Sequence, residues 1–411
     1  MGTLIESYEA IVGEAVIEHL FQLAGPLQGS KILHVNSTKE GGGVAEILNR
    51  LVPLMRELGL EADWQVITGE SDFYRCTKTM HNALQGKRSD LSRSMIEAYE
   101  SANRENYELL KDRQVESDFV FIHDPQPALF LNLCPERRGK WIWRCHIDVS
   151  HPYLPVWKYL RRFVRDYDAS IWSMAAFAQK LPHPLYLVPP SIDPLSEKNI
   201  PLEEQELKTT MEHFGLDPRV PIVAQVSRFD RFKDPVGVIQ AFRMVRKYTP
   251  LQLVLAGGGA TDDPEGKEVL DEVMVAAGDD PQIKVLLLPP DAHRTINALQ
   301  RVSDIVIQKS VKEGFGLTVT EALWKGKPVI GGATGGIRLQ VVNHHTGFLV
   351  NSPEGAALRI RYLLKRKDAA REMGEKGRAF VLHNFLITRH LREYLTLMVA
   401  MSNNAKGRIE L

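Results

Sequence analysis

Residues 304–321 read Asp-Ile-Val-Ile-Gln-Lys-Ser-Val-Lys-Glu-Gly-Phe-Gly-Leu-Thr-Val-Thr-Glu. The first part, Asp304–Ser310, is a short apolar run typical of a buried strand. Gly314 and Gly316 interrupt any helix here, because glycine is poor in helix interiors and accepts unusual backbone angles. The stretch therefore predicts a strand, a glycine loop and a helix that begins near Leu317, as in an α/β fold.

The same stretch carries two carboxylates around the predicted loop. Glu313 lies in the loop, and Glu321 lies in the first turn of the predicted helix. Free N–H groups at a helix start attract anions such as phosphate, and carboxylates accept hydrogen bonds from hydroxyl groups. We therefore expect a phosphorylated, hydroxyl-rich ligand at this loop.

Similar strand signals recur along the whole chain. Short apolar runs bounded by turn residues alternate with helical patterns, and they cover Lys31–Ser37, Ala62–Thr68, Phe119–Asp124, Trp141–Asp148, Ala169–Met174, Leu185–Pro190, Pro221–Ser227, Leu251–Gly257, Ile283–Leu288, Asp304–Ser310, Pro328–Gly332 and Gly347–Asn351. Continuous apolar strands that alternate with helices indicate parallel sheets covered on both faces. Two series of similar size predict two doubly wound, Rossmann-like domains, because a single barrel of ~250 residues would leave too much chain over.

The domain boundary is predicted in Pro189–Pro194, where the density of proline prevents a strand from continuing. This gives a first domain of residues 1–192 and a second of residues 193–385. A last helix, at about Ile387–Ser402, follows without a strand of its own. Ligands of open α/β sheets bind beyond the carboxyl ends of the strands, so two such edges that face each other are expected to form a cleft.

Composition limits the classes of partner and compartment. The 411 residues include 51 Lys and Arg against 51 Asp and Glu, which argues against a nucleic-acid-binding protein. The three cysteines form no Cys-x-x-Cys pair, which favours free thiols in a reducing compartment and disfavours a zinc site. We see no signal peptide and no run of ~18 apolar residues, so a cytoplasmic protein without a membrane partner is expected.

A second glycine loop lies near the N-terminus. The run Ile32–Ala45 reads as strand, glycine turn and helix, with the helix beginning near Val44. Gly42 and Gly43 let the backbone approach a phosphate or a sugar closely. The dinucleotide fingerprint is excluded, because Glu46 replaces its third glycine. A plain tight turn is the alternative interpretation.

Two cations follow the first strand of the second domain. Arg228 and Lys233 are placed where that strand ends. Guanidinium and ammonium groups at such a point suit a diphosphate, because they stabilise the negative charge that grows as it leaves. The alternative is a solvated loop, and the motif gains weight only together with Glu313 and Glu321.

Two neighbouring strand ends in the first domain carry polar side chains. One bears His123 and Asp124, and the next bears Arg144, His146 and Asp148. These groups are good hydrogen-bond partners for sugar hydroxyls. A lone histidine is more often structural, but two adjacent polar strand ends favour a site.

Taken in order along the chain, these motifs resemble the donor site of retaining glycosyltransferases of family four, which have the two-domain GT-B fold. More narrowly, they resemble the trehalose synthases that transfer glucose from a nucleotide sugar to free glucose. The stretches that carry the resemblance span nearly the whole chain, and they are His34–Thr38, Gly41–Glu46, His123–Pro127, Trp143–Asp148, Pro189–Pro194 and Glu313–Gly326, together with the pair Arg228 and Lys233.

The resemblance implies roles in the second, nucleotide-sugar domain. Arg228 and Lys233 would hold the leaving diphosphate, Glu313 would contact the donor glucose, and Glu321 would accept from the ribose. The loop would bind sugar and phosphate through its backbone, and it comprises Gly314, Phe315, Gly316 and Leu317. One departure is Asp234, since the family usually has glycine directly after the lysine. An extra carboxylate there is expected to weaken diphosphate binding unless it turns away.

The resemblance also implies roles in the first, acceptor domain. His123 would lie near the reacting carbon of the donor, and Gly42 and Gly43 would close over the phosphates. The acceptor glucose would be bound by a polar group of residues, Asp124, Arg144, His146 and Asp148. The final helix, about residues 386–411, would pack back on this domain.

The activity that the resemblance implies is a reversible, retaining glucosyl transfer that makes trehalose. The leaving diphosphate itself takes the acceptor proton in a front-face substitution, so no cofactor and no metal are expected. The partners would be small molecules only: glucose, trehalose, and ADP-glucose, UDP-glucose or GDP-glucose. The nucleobase, and the choice between a monomer and a homodimer, stay open.

Three other activities are weighed against this one. A retaining trehalose phosphorylase shares the fold and uses orthophosphate. A glycoside hydrolase would use Glu313 and Glu321 as acid and base, but a ribose-binding Glu321 would lie far from the scissile bond. A silent sugar-binding module would not need the set of diphosphate contacts.

Overall fold

The fold is taken from a computed structural model, which describes residues 3–40, 42–258 and 264–405. The chain forms two compact units. Unit 1 takes the chain up to Pro190 together with the helix from Ile387 onward, and unit 2 runs from Ser191 to Leu386.

Unit 1 contains one six-stranded sheet in which every strand pair is parallel. Its strands are β1 (Lys31–Asn36), β2 (Glu61–Val66), β3 (Phe119–His123), β4 (Lys140–Cys145), β5 (Ala169–Trp172) and β6 (Leu185–Leu187). Its helices are α1 (Glu9–Val12), α2 (Glu14–Ala24), α3 (Gly43–Glu57), α4 (Ser71–Leu84), α5 (Arg93–Glu116), α6 (Phe130–Leu133) and α7 (Leu154–Val164). The strand order is β2-β1-β3-β4-β5-β6.

The core of unit 1 is rich in tryptophan. Trp141, Trp143 and Trp172 are fully buried on the central strands. The Trp143 indole N–H donates to the Asp124 carbonyl at 2.9 Å, so this ring both fills the core and holds the chain just after β3.

Unit 2 contains a second six-stranded parallel sheet, ordered β12-β11-β10-β7-β8-β9. Its strands are β7 (Ile222–Val226), β8 (Gln252–Gly257), β9 (Ile283–Leu287), β10 (Ile305–Gln308), β11 (Val329–Gly332) and β12 (Gly347–Val350). Its helices are α8 (Glu204–His213), α9 (Pro235–Arg246), α10 (Pro264–Ala277), α11 (His293–Val302), α12 (Leu317–Trp324), α13 (Ile337–Gln340), α14 (Pro353–Lys365) and α15 (Lys367–Asn384).

Both faces of the unit 2 sheet are covered by apolar core. Val223 packs into one hydrophobic cluster, while its strand neighbours Ile222 and Ala224 pack into another. Successive side chains of a strand point to opposite faces, so a run without alternation marks a strand buried on both sides. The predicted α/β class, with two doubly wound sheets, is confirmed.

The last helix, α16 (Ile387–Ser402), packs against α2 and α3 of unit 1. Arg389 is buried, and its guanidinium donates to the carbonyls of Pro189 at 3.0 Å and Pro190 at 3.1 Å. Glu393, one turn later, compensates its charge. Within the described ranges, no helix combines the length and the apolar character needed to cross a membrane.

Candidate active site

Each sheet has a switch point, where the strand order reverses along the chain. It lies between β1 and β3 in unit 1 and between β7 and β10 in unit 2. In open parallel sheets, ligands bind beyond the carboxyl ends of the strands at such a point. The motifs singled out in the sequence follow these four strands and β4.

The switch point of unit 2 brings Lys233 and Glu313 together. The Lys233 Nζ atom is 2.7 Å from Glu313 Oε1 and 2.6 Å from Oε2. Ser310 donates its hydroxyl to the same carboxylate at 3.0 Å, and Gln225 donates to the Lys233 carbonyl at 2.8 Å. Only 17% of the lysine side chain and 7% of the glutamate side chain are exposed, so water screens this pair weakly.

Arg228 follows the same strand but extends into solvent. Its side chain is 68% exposed, and its Nη2 atom is 3.8 Å from the Asp230 carboxylate. Lys233, rather than Arg228, therefore forms the ion pair with Glu313. The long and exposed guanidinium is available to an anion that arrives at the loop.

Asp234 occupies a left-handed backbone conformation, with φ of 50°. One carboxylate oxygen caps α9 by accepting from the Gly237 N–H at 3.1 Å, and the other forms an ion pair with Lys309. The Lys309 side chain is only 4% exposed. The negative charge of Asp234 is therefore compensated within the protein and adds no unpaired charge to the loop.

The helix predicted near Leu317 is confirmed, because α12 begins there. Gly316 precedes it with φ of 84°, a conformation that favours glycine. The Gly336 N–H donates to the Gly314 carbonyl at 2.8 Å and holds the loop in place. Among the described residues, none accepts a hydrogen bond from the N–H groups of Phe315, Gly316 and Leu317. These donors remain available to an anion at the positive end of the helix.

Glu321 lies on α12 and is 3% exposed. Lys325, one turn later, is also buried and donates to Gln300 at 2.8 Å and to the Glu321 carbonyl at 3.2 Å. Burial lowers the pKa of Lys325 to about 7, and the charge of Glu321 opposes that shift. The Glu321 carboxylate thus has a buried amine in its surroundings.

At the switch point of unit 1, three imidazoles form a hydrogen-bonded chain. His34 on β1 contacts His123 at the end of β3, with 3.1 Å between Nδ1 and Nε2. His123 contacts His146, which follows β4, with 3.0 Å between Nδ1 and Nε2. Both ring nitrogens of His123 therefore face other imidazoles. A hydrogen bond between a ring nitrogen of His123 and a substrate requires one of these hydrogen bonds to be exchanged.

Burial keeps this chain uncharged. It lowers the pKa of His34 to about 3, and it lowers the pKa of His123 and of His146 well below the ordinary value. The buried Arg144 cation acts in the same direction on His123 and His146. All three rings are neutral near pH 7.

The other polar groups of these strand ends differ in exposure. Arg144 is fully buried, and its Nη2 donates to the Val188 carbonyl at 2.6 Å. Asp124, with φ of 64°, accepts the His146 backbone N–H at 2.7 Å. Burial raises the pKa of Asp124 to about 6, against the effects of this hydrogen bond and of Arg144. Asp124, His146 and Asp148 are only partly buried, so they are the members of the group that reach the surface.

The glycine turn after β1 also matches the predicted arrangement of strand, turn and helix. Gly42 precedes α3 with φ of 136°, and α3 begins at Gly43. A Cβ atom on Gly42 would meet nothing within 4 Å, so the backbone angle, rather than lack of space, requires glycine there. Gly41 lies outside the described residues.

Sequence reasoning missed several residues that support the site. Gly335, with φ of 46°, lies so close to the Glu313 carbonyl that a Cβ atom would be 1.7 Å from its oxygen. Lys309 and Ser310 fall within the apolar run Asp304–Ser310, and His34 falls within Lys31–Ser37, so the sequence pattern gives none of them a role of its own in the site. The sequence signal for this close approach to the Glu313 carbonyl is the glycine pair Gly335–Gly336 after β11, because glycine often marks a place where another part of the backbone comes near. The described residues contain no group of three or more His, Cys, Asp or Glu side chains that could hold a metal ion.

Both halves of the chain match known protein families. Residues 34–179 match the family described as "Trehalose synthase, N-terminal domain", and residues 208–380 match the family described as "Glycosyl transferases group 1".

Individual proteins show the same likeness at full length. The chain is 47% identical over 402 residues to the trehalose synthase of Thermococcus litoralis, covering 97% of each chain. It is 28% identical to the trehalose phosphorylase of Pleurotus pulmonarius, covering 98% of this chain but 61% of that one. The solved structure of a UDP-forming α,α-trehalose-phosphate synthase from Burkholderia xenovorans shares the fold, with a TM-score of 0.73, 14% identity, and 92% and 100% of the two chains covered.

Proposed function

This chain belongs to the trehalose synthase family of glycosyltransferases, and on that premise we propose that it makes trehalose from a nucleoside-diphosphate glucose and free glucose. The observation that carries the proposal is the Lys233–Glu313 ion pair beside the start of α12. A cation, free backbone donors and a carboxylate in one place suit a ligand with both phosphate and hydroxyl groups.

The diphosphate of the donor is bound by positive charge from unit 2 in this proposal. Lys233 turns part of its hydrogen bonding from Glu313 to a phosphate oxygen, and the exposed Arg228 swings onto the same group. The N–H groups of Phe315, Gly316 and Leu317 complete the contacts. Because negative charge grows on the diphosphate as the bond to glucose breaks, these groups stabilise the transition state more than the bound substrate.

The two glutamates position the donor and carry no proton in the reaction. Glu313, released in part from Lys233, accepts hydrogen bonds from the hydroxyls of the donor glucose. Glu321 accepts from the ribose. The nucleobase is left open, because neither carboxylate reads it.

The transfer is proposed to retain configuration at the anomeric carbon. The bond from this carbon to the phosphate oxygen breaks while the bond to the acceptor hydroxyl forms on the same face. The acceptor proton moves to the departing phosphate oxygen, and the reverse reaction follows the same path. Positive charge from Lys233 and Arg228 supplies the stabilisation, so we propose that no metal is required.

The proposal is tested by mixing ADP-glucose, UDP-glucose or GDP-glucose with free glucose and analysing the product by proton NMR. At least one donor is expected to give α,α-trehalose, with unchanged turnover after chelation of divalent metals. Lys233→Met is expected to remove the activity, and Arg231→Met, on the same turn but in an exposed ion pair with Glu272, serves as the matched control. Failure of all three donors with the wild-type protein would refute the proposal.

A trehalose phosphorylase is the second candidate, favoured by the 28% identity to the Pleurotus enzyme. In that reaction orthophosphate replaces the diphosphate at the same cations. The relation to trehalose synthases is stronger, since it extends over 97% of both chains. Formation of glucose 1-phosphate from trehalose and phosphate would favour the phosphorylase instead.

A further inference from the structure

In the buried chain His34–His123–His146, the direction of one hydrogen bond can determine the direction of the other, because the two bonds share His123. The ring centroids are 5.4 Å apart in the first pair and 5.3 Å apart in the second. In each pair, the distance between ring centroids exceeds the distance between the bonded nitrogens by about the width of one imidazole ring. The imidazoles therefore meet edge to edge, and the hydrogen bonds run in line with the rings. His34 is held at the inner end by stacking on Phe121, at 4.8 Å and 10°.

A neutral imidazole has one N–H donor and one acceptor nitrogen, so the chain can run in only two directions. In the first, His34 donates from Nδ1 to His123, and His123 donates from Nδ1 to His146. In the second, every bond is reversed, and His34 must carry its proton on Nε2. The Nε2 atom of His34 is buried and has no hydrogen-bond partner in the described residues. An orphaned N–H donor is rarely tolerated in a protein interior, which favours the first direction.

The surroundings of the histidine chain keep its three rings neutral. Arg144 on β4 is buried nearby, and its charge opposes protonation of His123 and His146. His390 on α16 is also buried, and burial lowers its own pKa well below the ordinary value. Asp124 is the acidic group next to His146, but it is bound to the backbone N–H of that residue. Tyr394 on α16 lies against His34, with ring centroids 6.1 Å apart.

We propose that His34 sets the tautomer of His146 through His123, so that His146 donates from Nδ1 to an oxygen of the acceptor sugar. His146 is the member of the chain that is only partly buried, and its Nε2 is already occupied as an acceptor from His123. Its one proton is therefore on Nδ1, the nitrogen left for a ligand. His34, which is fully buried, acts as a positioning residue. This inference rests on the proposed function for the identity of the ligand, but not for the tautomer.

The tautomer is tested on the wild-type protein without substrate. Protein labelled with ¹⁵N-histidine is measured at pH 7 by long-range proton–nitrogen correlation, and His146 is assigned by the signal lost in His146→Gln. The expected pattern is a protonated Nδ1 and an unprotonated Nε2 on His146. A protonated Nε2, or a doubly protonated ring, would overturn the inference. Because no turnover is needed, this result is independent of whether trehalose is made.

The link to His34 is tested with two variants. His34→Phe keeps the stacking on Phe121 but removes the donor, so the tautomer of His146 is no longer fixed. The KM for glucose is expected to rise about five- to tenfold, the loss of one hydrogen bond, while the KM for the nucleotide sugar stays within about twofold. His34→Asn can still donate near the Nδ1 position and is expected to restore the KM for glucose.

Equal losses in His34→Phe and His34→Asn would mean that His34 acts by packing alone, and would overturn the link. The same conclusion would follow if the His146 signals were identical in His34→Phe and in the wild type. If His34→Phe fails to fold, His34→Asn still tests the link, because it must then show the Nδ1-protonated pattern. Absence of glucose transfer by a wild-type protein with the expected tautomer would refute the proposed function and leave the tautomer assignment intact.

Discussion

Replacing Lys233 by methionine tests how much the Lys233–Glu313 pair contributes to the ligand-free protein. The change leaves the Glu313 carboxylate, whose side chain is 7% exposed, without its cation, while the Ser310 hydroxyl still donates to it. Removing one partner of a buried ion pair costs about 3–5 kcal/mol, and an exposed pair is worth about 1 kcal/mol or less. Because 17% of the lysine side chain is exposed, we expect the free energy of unfolding to fall by about 2–3 kcal/mol.

A double-mutant cycle with Glu313→Gln isolates the interaction. The double variant removes both charges, so its loss should be smaller than the sum of the single losses, by about 1–3 kcal/mol. Urea denaturation of all four proteins measures this coupling. The control cycle uses Arg231 and Glu272, an ion pair on the same turn that is 54% and 47% exposed, where the coupling should be about 1 kcal/mol or less. Equal coupling in the two cycles would mean that burial adds nothing to the Lys233–Glu313 interaction.

Four further outcomes follow from the site. Glu321→Gln should raise the KM for the nucleotide sugar about tenfold or more in initial-rate measurements, because a hydrogen bond to a charged group is lost; an unchanged KM would remove Glu321 from the donor site. Asp234→Ala should lower the free energy of unfolding by about 2–4 kcal/mol, since it removes a helix cap and leaves Lys309 buried without its carboxylate, and a loss no larger than that of a surface substitution would contradict this. Arg228→Ala should reduce kcat more than donor affinity, and a raised calorimetric Kd with an unchanged kcat would mean that Arg228 only binds. His34→Phe should flatten the pH dependence of stability below pH 6.5. Below pH 6.5, His34 takes up a proton in the unfolded wild type but not in the folded protein, because its pKa there is lowered to about 3. The wild type therefore loses about 1.4 kcal/mol of stability per pH unit as the pH falls. Parallel curves for the two proteins would contradict this.

The local elements of the fold were predictable from the sequence because each has a local cause. The apolar run Asp304–Ser310 contains β10. The second glycine after it, Gly316, directly precedes Leu317, the first residue of α12. The twofold series of strands and helices was enough to predict two parallel sheets. These features depend on residues that are neighbours along the chain.

Contacts between distant residues were beyond the reach of the sequence pattern. His34 meets His123 because β1 and β3 are adjacent and parallel, with His34 opposite Phe121 in the register. Lys309 meets Asp234 because β7 and β10 flank the switch point. A buried polar residue inside an apolar run looks like a strand residue until its partner is known.

The roles of the residues depend on such partners as well. Asp234 was expected to weaken diphosphate binding unless it turned away, and its carboxylate is in fact engaged by Lys309 and by the cap of α9. Composition and motif spacing predict which groups are candidates for a site. They do not reveal which of those groups neutralise one another before a ligand arrives.

In the proposed reaction, the cations of unit 2 act on a nucleoside diphosphate that leaves glucose. The most direct test incubates the protein with trehalose and either a nucleoside diphosphate or orthophosphate, and follows both mixtures by ³¹P NMR. We expect the signals of a nucleoside-diphosphate glucose to appear in the first mixture and no glucose 1-phosphate to form in the second. Glucose 1-phosphate in the second mixture, with no change in the first, would contradict it.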